Sequence, residues 1–395
     1  MQTLDLPEPT VDEIAHSQKL SELIKQEIVA AGGWINFEQY MQLALYAPGL
    51  GYYNGGAQKF GEQGDFMTSP EVSPLFAQTL ANPLATLLEK IPDAKIIEFG
   101  AGSGKLAADL LLALSSLKRL PDEYLIIELS AELQQRQKET INHKVPQLLE
   151  RVQWLTHLPE TPVNGIVIAN EVLDAMPVQR FSFMDKKVKL LGVEVSEQTL
   201  KLSYKNADQK IIQKVNALSD AFNNAFDNSG HSYNSEINCH INPWIKSVSQ
   251  CIKKGAVYLI DYGYPRSEYY SEDRHMGTFL GYYKHRSMDA PLWYPGLQDL
   301  TAFVDFTEVA EAAIENGFDV DGFTSQGNFL LNAGLAKVVD GIETTNEVQR
   351  LKLAQQMKTL SLPGEMGERF KVLGLSKGLD ENIPGFELRD FRYRL

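Results

Sequence analysis

The stretch Ile96-Ile97-Glu98-Phe99-Gly100-Ala101-Gly102-Ser103-Gly104 decides the fold. A short apolar run feeds directly into three alternate glycines, and Leu106 to Leu117 behind them is a helix-length apolar segment. Strand, glycine turn and helix in that order open a βαβ unit. Glycine tolerates positive φ and lets a ligand approach the backbone, while the helix N-terminus adds free N–H groups and a positive dipole end. The spacing is G-x-G-x-G, whereas the dinucleotide pyrophosphate fingerprint is G-x-G-x-x-G, and Lys105 stands in the next place. A nucleotide-like ligand fits such a turn, and so does a tight turn with no ligand.

Working outward, the short apolar runs Tyr124 to Leu129, Val152 to Leu155, Ile166 to Ala169 and Ala256 to Ile260 read as further strands, with Ala131 to Ile141 a helix among them. Runs of this kind separated by helices predict a largely parallel sheet and an α/β fold. Upstream, Leu20, Leu23, Ile24 and Ile28 at helical spacing with Gly32-Gly33 behind them predict one amphipathic helix, and a second helix is expected around Phe76 to Leu88. Between them Pro48 to Pro74 is rich in glycine with interleaved aromatics, the composition of a long functional loop. Alternating Val188, Leu190, Val193 and Val195 suggest antiparallel strands in an insertion, followed by a polar segment from Asn216 to Asn238. Downstream, Phe306 to Asn316 and Gln349 to Leu360 read as helices and Phe370 to Leu375 as a late strand.

Two carboxylates frame the glycine turn. Glu98 precedes it, and Glu128 closes the next strand, 28 residues after Gly100. A carboxylate at that strand end is placed to accept hydrogen bonds from both ribose hydroxyls, unless it is only a solvated charge. Together with G-x-G-x-G, the two acids favour S-adenosylmethionine over NAD. The fourth strand ends in Ala169-Asn170-Glu171-Val172-Leu173-Asp174-Ala175-Met176-Pro177. Asn170, Glu171 and Asp174 cluster where a methyl acceptor would lie, and a carboxylate pair can hold a guanidinium and accept its proton. The alternative is that Asp174 and Pro177 merely cap a turn. Gly64 to Glu71 offers hydroxyls and two carboxylates, and by pattern alone Ser69 with Pro70 reads as a helix cap.

Composition excludes several classes. Of the 395 residues, 44% are apolar and 22% charged, which suits a globular chain and not a disordered one. Net charge −14, from 37 basic and 51 acidic residues without a long basic run, disfavours nucleic acid and suits an arginine-bearing partner. Two cysteines make no disulfide framework, and the histidines have no metal-ligand spacing, so no metal is expected. No apolar stretch approaches the ~18 residues that span a bilayer. With Asp5, Glu8, Asp12 and Glu13 before the first basic residue, Lys19, the start resembles neither a signal nor a transit peptide, and a cytoplasmic location is expected.

In order along the chain, Tyr46 to Tyr53, Gly61 to Ser73, Glu98 to Gly104, Asn170 to Val178, Asp261 to Tyr264, Gly277-Thr278, Tyr282 to Arg286 and Pro295 to Phe306 resemble the MidA family of class I methyltransferases. That family includes a mitochondrial complex I assembly factor that methylates protein arginine. The resemblance implies a Rossmann-like, mixed seven-stranded sheet, with an N-terminal helical and loop region (1–90), a core in two parts (91–180 and 255–395) and an insertion (181–254). It implies S-adenosyl-L-methionine as cofactor, covered by a loop carrying Asp65, Thr68, Ser69 and Pro70 and held by Glu98, Gly100, Gly102, Gly104 and Glu128. It also implies Glu171, Asp174 and Asn170 at the acceptor, an accessible arginine of a protein partner, with a respiratory-complex subunit among the candidates. A non-catalytic cofactor-binding assembly factor and a small-molecule methyltransferase are the competing readings. Phe279-Leu280-Gly281 departs from the family's Leu-Arg-Cys-like triplet.

Overall fold

The computed structural model describes residues 6–55, 68–221, 226 and 232–395. The chain forms two compact units, neither continuous in sequence. The first comprises Met1–Phe66, Asp174–His240 and Arg266–Phe303, and the second Met67–Leu173, Ile241–Pro265 and Val304–Leu395.

In the first unit the expected amphipathic helix is Val11–Ala30, opened by a capping box between Thr10 and Glu13. Its Leu20, Ile24 and Ile28 are buried, and Gly33 N–H closes the end on the Ile28 carbonyl. A second capping box, Asn36 with Gln39, starts the helix Phe37–Tyr46. An antiparallel sheet runs in the order Trp34–Asn36, Lys187–Ser196, Gln179–Met184, Tyr233–Ile237, with Thr199–Asn206 also on Lys187–Ser196. Leu20, Ile24, Phe37, Met41, Val178, Leu191, Phe279 and Leu300 share its core. Phe279 lies 4.6 Å from the guanidinium of Arg180, which in turn reaches the buried Glu236 at 3.6 Å.

In the second unit the strands are β1 (Lys95–Phe99), β2 (Tyr124–Ile127), β3 (Val152–Leu155), β4 (Val163–Asn170), β5 (Ile252–Tyr264), β6 (Asp319–Ser325) and β7 (Phe370–Lys377). They lie in the order β3-β2-β1-β4-β5-β7-β6, and a two-residue strand, Val304–Asp305, pairs with the end of β5. β1 to β5 are parallel, while β7 is antiparallel to both its neighbours. This is the mixed α/β sheet that the resemblance implies. Along β5, Ala256, Tyr258 and Ile260 join a core shared with the helices Pro74–Lys90 and Lys105–Ser116. The intervening Val257 and Leu259 point to the other face and are equally buried. Both faces are therefore covered, which is why these strands read as continuous apolar runs. Strand order reverses between β1 and β4, and ligands bind beyond the carboxyl ends at such a point.

Candidate active site

The turn after β1 has the geometry its glycines allow. Gly100, Gly102 and Gly104 have φ of +62°, +52° and +81°. A Cβ on Gly104 would lie 2.8 Å from the Gln137 Cα, and one on Gly100 would lie 3.2 Å from the Val172 Cγ2. The helix Lys105–Ser116 starts directly behind, so its positive end opens at the turn.

Glu128 is joined to this turn by a residue that the sequence reading passed over. Gln137 Nε2 donates both to the Gly102 carbonyl and to Glu128 Oε2, each at 3.1 Å, and Trp154 Nε1 fixes Gln137 Oε1 at 2.9 Å. The other carboxylate oxygen accepts the Ser130 N–H at 2.9 Å. Burial raises the Glu128 pKa, and the hydrogen bonds from Ser130 and Gln137 oppose that rise. A carboxylate has about four lone-pair sites, so the bonds from Ser130, Gln137 and the Leu129 backbone leave acceptor capacity for a ribose hydroxyl. Gln137 had a detectable signal: it sits between Leu133 and Ile141 at four-residue spacing, a polar side chain on an apolar stripe. Glu98 is enclosed, with Oε2 accepting from the Tyr124 hydroxyl at 2.7 Å, and desolvation pushes its pKa up to about 7.

The turn after β4 is built differently. Glu171 has φ +55°, the left-handed region that disfavours side chains. Its N–H donates to the Ile260 carbonyl at 2.9 Å. Val172 and Leu173 donate theirs to Asp261 Oδ2 at 3.2 and 2.9 Å, and Asp261 Oδ1 accepts from Tyr262. Asp261, given no role from sequence, thus shapes the segment that carries Asn170 and Glu171. Asn170 Nδ2 donates to Glu171 Oε1 at 3.1 Å, and its buried Oδ1 has no hydrogen bond among the described residues.

The remaining candidates are distributed as follows. Ser69 does not cap its helix: Thr68 is the N-cap of Ser69–Val72, in extended conformation, and the Ser69 hydroxyl donates instead to Gln326 Oε1 at 2.9 Å. Pro70 is buried beside it, and Asp65 lies outside the described residues. Asp174 belongs to the first unit, where it is buried and its carbonyl accepts from Ala302 at 3.1 Å. In that unit Tyr53 donates to Asp299 at 2.9 Å and stacks on Tyr46. Burial, and then Asp299, raise the Tyr53 pKa, with Asp174 adding to the rise. Asp305 caps the helix Phe306–Glu315, and His240 pairs with Glu38 at 2.6 Å. No group of side chains among the described residues could hold a metal ion.

The model of an S-adenosyl-L-methionine-dependent methyltransferase family matches residues 77–324. The chain belongs to this methyltransferase family. It is 40% identical to a solved structure from Burkholderia thailandensis bound to S-adenosyl-homocysteine, which covers 99% of this chain and 100% of that one with a TM-score of 0.93. The curated relatives include the protein arginine methyltransferase NDUFAF7, mitochondrial, of Homo sapiens (28% identity, 93% of this chain and 84% of the relative) and of Danio rerio (26%, 88% and 84%). The methyltransferase cofactor is S-adenosylmethionine, and the residues suit it: a turn of positive-φ glycines opening on a helix N-terminus, and a strand-end carboxylate with acceptor capacity to spare. The cytoplasmic expectation needs correction, because the curated relatives are named mitochondrial. It rested on the N-terminal charge pattern, the two cysteines and the short apolar stretches, which test for particular leaders, disulfide frameworks and spans and do not fix a compartment. No helix among the described residues is long and apolar enough to cross a membrane.

Proposed function

We propose that this methyltransferase modifies an arginine side chain of a protein partner, using Glu171, Asp174 and Asn170 at the acceptor. The names of the curated relatives support an arginine acceptor. The cofactor supplies a methyl group on a sulfonium that departs as a neutral thioether. The protein's tasks are then to hold the acceptor nitrogen in line and to take up the proton it sheds. Carboxylates suit both, since they bind a planar guanidinium through paired charge-assisted hydrogen bonds.

The observation that carries this reading is the backbone at Glu171. A left-handed non-glycine residue costs about 1 to 2 kcal/mol, and such strain concentrates at functional positions. Here it falls on an acidic residue directly after the carboxyl end of β4, at the strand-order reversal. On the cofactor side, Glu128 is assigned to the ribose, the turn of Gly100, Gly102 and Gly104 to the remainder, and Glu98 to support beneath it. Thr68, Ser69 and Pro70, with Asp65, are assigned to the covering segment by the resemblance alone.

The test is incubation of the protein with methyl-labelled S-adenosylmethionine and host lysate, followed by mass spectrometry. Label on arginine in one or a few proteins is expected, and a respiratory-complex subunit is the first candidate to try as purified acceptor. Label confined to small molecules, or to residues other than arginine, would overturn the reading.

A further inference from the structure

We propose that Glu71 is a positioning residue for the cofactor: by holding Ser103 and Lys105 it fixes the glycine turn and sets the balance between binding the sulfonium cofactor and its thioether product. Ser103 lies between Gly102 and Gly104, both at positive φ, where the chain has least intrinsic preference for one shape. Its hydroxyl donates to Glu71 Oε1 at 2.5 Å. Lys105 Nζ donates to the Glu71 carbonyl at 2.9 Å and lies 3.5 Å from Glu71 Oε2.

The anchor itself is well held. Glu71 belongs to the short helix Ser69–Val72, which Ser69 ties to Gln326. Gln326 Nε2 in turn donates to the Leu360 carbonyl at 3.0 Å, and Gln356 reaches the Val72 carbonyl at 3.3 Å. A fixed element therefore grips a soft one. Lys105 is the first residue of its helix, where the macrodipole opposes a cation. The Glu71 carboxylate and carbonyl offset that conflict, which gives the lysine after the glycines a purpose the sequence did not reveal.

The electrostatic consequence is specific. S-adenosylmethionine carries one positive charge more than S-adenosylhomocysteine, so a turn made more positive should penalise the first more than the second. Glu71→Gln keeps the acceptor for the Ser103 hydroxyl and removes the charge facing Lys105. Titration calorimetry should show S-adenosylmethionine weakened about threefold or more beyond any change for the homocysteine, with the gap shrinking as salt rises. Adding Lys105→Met should restore most of the ratio. Glu71→Ala, which also frees Ser103, should weaken both ligands by roughly tenfold. Thermal unfolding without ligand checks each variant, and if the alanine protein is unfolded the near-isosteric glutamine variant carries the test.

Equal effects on the two ligands in Glu71→Gln, or no recovery on adding Lys105→Met, would overturn the inference. It rests on the assignment of the glycine turn to the cofactor, and a separate variant distinguishes the two failures. If Gly104→Val still binds the homocysteine normally, the turn assignment is wrong. If Gly104→Val fails to bind while Glu71→Gln behaves like the parent, only the role of Glu71 is lost.

Discussion

The turns after β1 and β4 do comparable work by opposite means. After β1, three glycines supply positive φ at no steric cost, so the angles the turn needs come without strain. After β4, a glutamate occupies the left-handed region and is kept there by Ile260 and Asp261, some 90 residues further along the chain. A turn that must admit a ligand against its backbone uses glycine. The turn proposed to present a side chain cannot, and borrows its geometry from the next strand.

The sharpest way to break the contrast is to give the first turn a side chain. Gly104→Val forces a β-branched residue to φ +81° and drives its Cβ to 2.8 Å from the Gln137 backbone. Binding of S-adenosylhomocysteine should vanish in calorimetry, with a lowered unfolding temperature, and retained tight binding would refute the assignment. In the second turn, Glu171→Gln keeps shape but removes basicity. Methyl incorporation should fall about a hundredfold, the scale of losing a general base, while cofactor affinity stays near normal. If Asp261 acts through this turn, Asp261→Ala should lower incorporation by roughly tenfold on its own and add little to Glu171→Gln, a non-additivity that a double-mutant cycle reads directly. Independent, fully additive losses would separate the two residues.

Smaller effects sharpen the first turn. Glu128→Ala should weaken the homocysteine about tenfold or more through lost charge-assisted hydrogen bonds, with the fold intact. An unfolded variant would make Glu128 structural. The smallest effect is at Glu98, whose folded pKa of about 7 lies above the ordinary carboxylate value. Its protonated form is the one the fold favours, so its contribution is whole below the unfolded pKa and is lost as pH rises through about 7. The unfolding temperature of the parent should fall relative to Glu98→Gln between about pH 4.5 and 7 and level off above. Parallel curves would show that the buried carboxyl does not titrate in that window.

Local signals in the sequence located β1, the helix behind it and β3 nearly to the residue, because buried parallel strands leave an apolar run that needs no partner to be seen. The strand β6 was missed. Its Asp319, Asp321, Gly322 and Thr324 break up any apolar run, yet β7 pairs with it, and Phe391 N–H and the Asp390 carboxylate bond its Phe323. The polar segment after Asn216 likewise hid the strand Tyr233–Ile237, in which Ser235 and Glu236 are buried. At the candidate site, glycines and strand-end acids stood out, while Gln137 did not and Asp261 showed only as part of a block without a role. Their importance lies in what they touch, and those partners are distant in sequence.

The first unit is assembled from three separate stretches, and this imposes a timetable on synthesis. Leu20, Phe37 and Leu45 belong to a core completed by Phe279, Leu300 and Ala302. At roughly 5 to 20 residues per second, the ribosome takes about 13 to 50 s to travel from the first set to the last. Val178, Leu191 and Val193 arrive part-way, but throughout that interval the core stays incomplete while stretches of the second unit are also made. The nascent chain is therefore a natural client for holding chaperones, and its earliest segment is among the last to reach its final environment.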